Sequence, residues 1–204
     1  MVAAGLLAAA LCLSAAALGA KEPKASKEML AWAEGPVGWL LLPSEWRELR
    51  RVEESAGAVN FIEGFWRLRD PDPGSSGNAF RAQFSARVEA ADQLYAEGPL
   101  RGSLTARGRA LILLGPPPQM RLVSEEVLTP RPGRGKQRSA MRLIRVEIWH
   151  YPEADLPRKL VGVLRAADRE PSVELKFRLG RRSVELAEGA NSLILAARLA
   201  LVQD

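Results

Sequence analysis

Apolar residues are spaced as in helices as far as Tyr95 and as in strands from Ala110 onward, with Gly98-Pro99 between the two regimes. Helices first and strands afterwards predict an α+β fold, with N-terminal helices packed on a C-terminal, mainly antiparallel sheet. No repeat breaks that order.

In the helical half, Ser44 reads as an N-cap, with Glu45 in the first turn and Trp46, Leu49 and Val52 on one face. Gly57 is expected to break that helix. Val59, Ile62, Phe65 and Trp66 mark a second amphipathic helix, with Trp66 buried between helices and sheet. It must end near Arg69, because Asp70-Pro71-Asp72-Pro73-Gly74 disfavours helical backbone before each proline. Asn78 caps a third helix, with Phe80, Phe84, Ala91, Leu94 and Tyr95 on its apolar side. Trp32, Trp39 and Trp46 recur every seven residues, but Gly35-Pro36 and Pro43 interrupt any single helix through them. They read as indoles covering the body of the domain.

In the strand half, Ala110–Leu114 predicts a buried strand leading into the Gly115-Pro116-Pro117-Pro118 turn. Ile144–Ile148 and Val173–Leu179 alternate cleanly and predict strands, and Ser183–Leu186 follows a turn at Gly180-Arg181. Leu160–Leu164 reads as a further strand. Asn191–Val202 is nearly all apolar and reads as a buried C-terminal helix.

Charge is concentrated in one place. Arg131, Arg134, Lys136, Arg138, Arg142 and Arg145 lie between Val127 and Val146 with no acid among them, in a chain whose net charge is +5. Within that stretch, Thr129–Arg138 has Pro and Gly punctuation and no apolar period, which predicts a long exposed loop. Arg131, Arg134, Lys136 and Arg138 are the anion-binding candidates, suited to a membrane or another anionic surface. Nucleic acid is not expected as a partner, since no aromatic side chain interleaves with these cations. One His and one Cys in 204 residues exclude Cys/His zinc sites, CxxC motifs and internal disulfides. No metal or cofactor is expected.

Met1–Ala20 has no charged side chain, and Lys21-Glu22-Pro23-Lys24 follows at once. The run reads as a secretory signal cleaved near Gly19 or Ala20, which predicts export to the periplasm or beyond. An uncleaved N-terminal anchor is the second reading, because the run just reaches a spanning length. Lipidation is the third, as Leu11 rather than a small residue precedes Cys12. The expected organisation is a signal over 1–20, a linker and lead-in over 21–38, and one domain over 39–204.

Several blocks form a pattern. Phe61–Gly74 contains Phe65-Trp66 and Arg69-Asp70-Pro71-Asp72-Pro73, and Asn78 follows. Further on come Arg107-Gly108, Gly115-Pro116-Pro117, and Val146-Glu147-Ile148-Trp149-His150-Tyr151. In this order and spacing they resemble bacterial GWxTD domains, from about Trp39 to Tyr151. The name motif appears as Gly102-Ser103-Leu104-Thr105-Ala106, with Ser103 at the Trp position and Ala106 at the Asp position. Pro118 stands where an Asp usually follows Gly-Pro-Pro. The resemblance implies an exported domain and supplies no reaction.

The only histidine, His150, is the sole imidazole available for acid–base work, with Asp70 and Arg107 as the other catalytic candidates. No nucleophile elbow or triad spacing supports an enzyme, and a His within an apolar strand more often belongs to the core. Arg69, Asp70, Asn78, Arg107 and Glu147 could line a cleft. The preferred reading is structural: Asp70 and Asn78 in turns and caps, Arg69 and Arg107 clamping carbonyls or pairing with Glu147. These readings favour a non-catalytic binding or scaffolding module of the cell envelope, partnered by an envelope protein or an anionic surface. An envelope hydrolase centred on His150 or Asp70, and a membrane-surface adaptor acting through 129–145, are the alternatives. A scaffold should expose an apolar patch; an enzyme should gather its polar residues in a concave site.

Overall fold

A computed structural model describes residues 26–52, 55–131, 138–181, 183–187 and 190–202. The fold is α+β as expected: helices come first, a four-stranded antiparallel sheet follows, and a helix closes the chain. The leader over 1–20 lies outside the described residues. Among them, no helix is long and apolar enough to cross a membrane.

Helix α1 (Lys27–Glu34) is capped by the Ser26 hydroxyl, which accepts from the Met29 N–H at 3.2 Å. Met29 and Ala33 from α1 are buried, as is Val37 from the 3-10 turn Pro36–Trp39. The hydrophobic core therefore begins at Met29, inside the segment read as linker and lead-in. Helix α2 (Pro43–Leu49) starts one residue before the expected cap. Pro43 supplies a helical φ and needs no N–H partner, while the Glu45 carboxylate accepts from the Leu42 N–H at 2.8 Å, so Ser44 lies within the helix. The break falls at Arg50–Val52, not at Gly57, which belongs to α3 (Ser55–Arg67).

At the end of α3, Phe65 and Trp66 are buried, whereas Val59 faces solvent. Trp66 packs against the rings of Phe65 and Phe84, both on helices, and the expected sheet contact is not among its ring neighbours in the described residues. Asn78 does cap α4 (Ala79–Leu94): its Oδ1 accepts from the Arg81 N–H at 2.8 Å. Its Nδ2 donates to the Trp66 carbonyl at 2.6 Å, which ties the end of α3 to the start of α4. Phe84 and Ala91 are buried and Leu94 is exposed.

Two expected strands are helices. Ala110–Leu114 belongs to α5 (Ala106–Leu114), started by the Thr105 hydroxyl accepting from the Gly108 N–H at 3.1 Å. All five residues of the apolar run are buried, so the run carries no period that separates helix from strand. Gly115, at φ 88°, ends it with a backbone that favours glycine. Leu160–Leu164 lies within α6 (Arg158–Ala166), whose buried Leu160 and Leu164 are four residues apart with Val163 exposed between them.

Strand β1 (Gln119–Arg131), which the sequence reading did not anticipate, forms an antiparallel hairpin with β2 (Arg138–Tyr151). Pairing extends to Arg131↔Arg138, so the ends of the expected Thr129–Arg138 loop are strand. Arg134 and Lys136 lie outside the described residues. Strands β3 (Val173–Leu179) and β4 (Val184–Leu186) complete the order β1-β2-β3-β4. Helix α7 (Ala190–Val202) is the expected C-terminal helix, burying Ile194 and Ala197. It packs against α5, α6 and β3, and α5 also meets β4. The helical layer thus lies over the β3–β4 side of the sheet.

Candidate functional site

The polar residues that share the resembling blocks fall into separate places. Arg69, 5% exposed, donates to the carbonyls of Phe65 (2.9 Å) and Leu40 (3.5 Å) and to both Glu45 oxygens (2.7 and 2.8 Å). Its guanidinium also lies 3.6 Å from the Phe65 ring centroid. Burial pulls the Arg69 pKa below the ordinary guanidinium value, against the opposing pull of Glu45. This is a clamp between α2 and α3, in line with the structural reading. Asp70 closes an Asx turn in the exposed loop, its Oδ1 accepting from the Asp72 N–H at 3.1 Å. Pro71 and Pro73 are exposed in the same loop.

Arg107, on α5, has a different set of partners. It reaches Glu147 on β2 at 3.4 Å and Glu97 at 3.8 Å, with the Tyr95 ring 5.0 Å from its guanidinium. Glu147 is further held by the Trp149 indole N–H at 2.5 Å, and Glu97 accepts from the Val184 N–H at 2.9 Å. Burial, reinforced by the Glu147 charge, raises the Tyr95 pKa, with Arg107 opposing. Two carboxylates and one guanidinium thus bind α5, β2 and β4 together. Glu97 also lines a shallow depression of about 490 Å³ with Gly98, Pro99, Arg181 and Ser183.

Trp149 and Tyr151 face the helical layer. Trp149 packs on Phe177 and Tyr95, and the Tyr151 hydroxyl donates to the Gly115 carbonyl at 2.9 Å. Burial raises the Tyr151 pKa well above the ordinary phenol value. His150 has the opposite phase, half-buried between Gln119 and Glu174 on the outer face. On that face Val146 and Ile148 are buried near Arg121, Lys176 and Glu174, and an Arg121–Glu174 pair at 3.3 Å spans the strands. His150 and Arg107 therefore lie on opposite sides of the sheet.

The glycines of the resembling blocks serve packing. A Cβ on Gly102 would collide with the Ala91 carbonyl, and one on Gly108 with the Gly102 carbonyl, so α4, the Gly102 turn and α5 touch backbone to backbone. Ser103 is fully buried beside them, its N–H donating to Asp92 at 2.8 Å and its carbonyl accepting from the Trp39 indole at 2.8 Å. Ala106 is the first residue of α5, following the Thr105 cap. Pro116 and Pro117 carry the chain from Gly115 towards β1.

Sequence reasoning missed the feature that is most open to a partner. Met120 and Leu122 on β1 and Met141 and Leu143 on β2 are 63%, 58%, 58% and 65% exposed. The register places all four on the face that carries Glu147, Trp149 and Tyr151 further along β2. Their alternation with Arg121 on β1 and Arg142 on β2 is the signal that would have marked this face. Among the described residues, no group of three His, Cys, Asp or Glu is placed to hold a metal. Comparisons with family profiles, curated protein sequences and solved structures gave no match.

Proposed function

We propose that this chain is an exported, non-catalytic module of the cell envelope that works by binding, with the β1–β2 hairpin as its working surface. The observation that carries the reading is the exposure of Met120, Leu122, Met141 and Leu143 on one face of the hairpin, in two pairs with Ser124 and Arg145 between them. Large apolar side chains gathered on one open sheet face mark interaction sites. The separation of His150, Asp70 and Arg107 supports binding over hydrolysis, as does the engagement of Arg69 and Arg107 in structural clamps. The uncharged Met1–Ala20 run and the resemblance to GWxTD domains support export.

The test is a variant of the full chain carrying Leu122→Asp and Leu143→Asp, expressed alongside the parent. Both positions are exposed, so the melting temperature should stay within a few degrees, as for surface changes of about 0.5 kcal/mol. Envelope fractions should hold the parent in a larger complex and the variant as free chain. Identical sedimentation of the two folded proteins would refute the reading.

A further inference from the structure

We propose that two copies of this chain join through the free edge of β1, antiparallel, about a two-fold axis at Val123. The proposal rests on the hairpin being the working surface and names its partner as a second copy. Strand β1 is an outer strand of the sheet and spans thirteen residues, so one row of its backbone N–H and C=O groups faces no other strand among the described residues. Such an edge is a template for another strand.

Parity and charge select the register. A two-fold axis normal to a continuous sheet leaves each face on its own side, so opposed residues must have numbers of equal parity. Between Gln119 and Val127, β1 carries three charges: Arg121, Glu125 and Glu126. Centring the axis on Arg121, Glu125 or Glu126 sets a like charge against itself. Centring it on Val123 opposes Arg121 to Glu125 of the other copy, twice, and no other centre sets Arg121 against a carboxylate. In the monomer Arg121 is tied to Glu174 at 3.3 Å and Glu125 to Lys176 at 3.9 Å, with all four side chains more than a third exposed. The new pairs would therefore join an existing chain of alternating charge on that face. On the other face this register sets Leu122 opposite Ser124 and Met120 opposite Glu126 of the other copy, and brings the two Leu122 side chains diagonally across the axis. The antiparallel run also lays the outer half of each hairpin, beyond the reach of β3, against the base of the other.

The experiment uses the full chain with Cys12→Ser, so that introduced thiols are the only ones. Directly opposed antiparallel residues have Cα atoms about 4.5–5.5 Å apart, within disulfide range. Val123→Cys should give a covalent dimer on mild oxidation, and Val127→Cys, far from its own copy in this register, should not. In sedimentation, Arg121→Glu should weaken self-association by about tenfold or more through like-charge contacts. Adding Glu125→Arg to it should restore the parent affinity. A parent that stays monomeric at about 0.1 mM, far above the micromolar range of specific association, overturns the proposal. Equal cross-linking at both positions, or no recovery in the double variant, also overturns it. If dimerisation fails while Leu122→Asp with Leu143→Asp still releases the chain from envelope complexes, the partner is a different protein and only the dimer falls.

Discussion

Arg69 shows how a residue that looks catalytic in sequence can be consumed by the fold. Both terminal nitrogens of its buried guanidinium are taken by two carbonyls and one carboxylate, and its Nε is buried away from solvent. Arg69→Met should cost about 3–5 kcal/mol in chemical denaturation, because Glu45 and the Leu40 carbonyl lose their partner in a low-dielectric place. A loss below about 1 kcal/mol would mean that the clamp is dispensable. Asp92 gives a pH signature. Burial alone would raise its pKa, but hydrogen bonds from Arg101 and Ser103 outweigh this and lower it below the usual 3.8. The unfolded chain then binds the proton more readily, so this stabilisation is present above that value and is lost as pH falls through the lower folded one. Asp92→Asn should flatten the acid limb of the stability profile; an unchanged limb would contradict the assignment. Turn and cap chemistry was legible at this scale, in Asn78 and Asp70, because it depends on near neighbours. The Arg69–Glu45 pair was not, since nothing in the sequence brings α2 beside the end of α3.

At the scale of elements, legibility followed periodicity. Val173–Leu179 alternates and is a strand; Ala110–Leu114 is uniformly apolar, and its helical form is decided by the Thr105 cap and the contact of Gly108 with Gly102. Gly108→Ala tests that contact. Alanine is the better helix former by about 1 kcal/mol, so an isolated helix would gain. Here its Cβ meets a backbone carbonyl that cannot rotate away, and the protein should instead lose about 1–3 kcal/mol, read by urea denaturation. A stabilised Gly108→Ala would show that the turn and helix do not touch. Strand β1 escaped notice for a different reason. Met120-Arg121-Leu122-Val123-Ser124-Glu125-Glu126 alternates only in part, and its apolar Met120 and Leu122 are exposed rather than buried. Its pairing comes from β2, which the sequence does show.

For the whole molecule, the helical layer covers β3, β4 and the Glu147–Tyr151 end of β2, and leaves Met120, Leu122, Met141 and Leu143 of the hairpin exposed. The groups that hold the two layers together, Arg107, Glu97, Glu147, Trp149 and Tyr151, include two of the residues first suspected of chemistry, Arg107 and Glu147. Sequence showed these groups as a pattern, but their roles depend on which strand face each occupies, and His150 differs from its neighbours on that point alone. The separation of covered and open surface is what makes the proposed binding role specific to β1 and β2. Amide hydrogen exchange on the full chain tests it most directly, in isolated envelope complexes and again after purification to free chain. Backbone amides of Met120–Val127 should exchange slowly in the complexes and faster in the free chain, while those of β3 stay equally protected in both. Equal exchange of β1 in the two states would contradict the hairpin as the working surface.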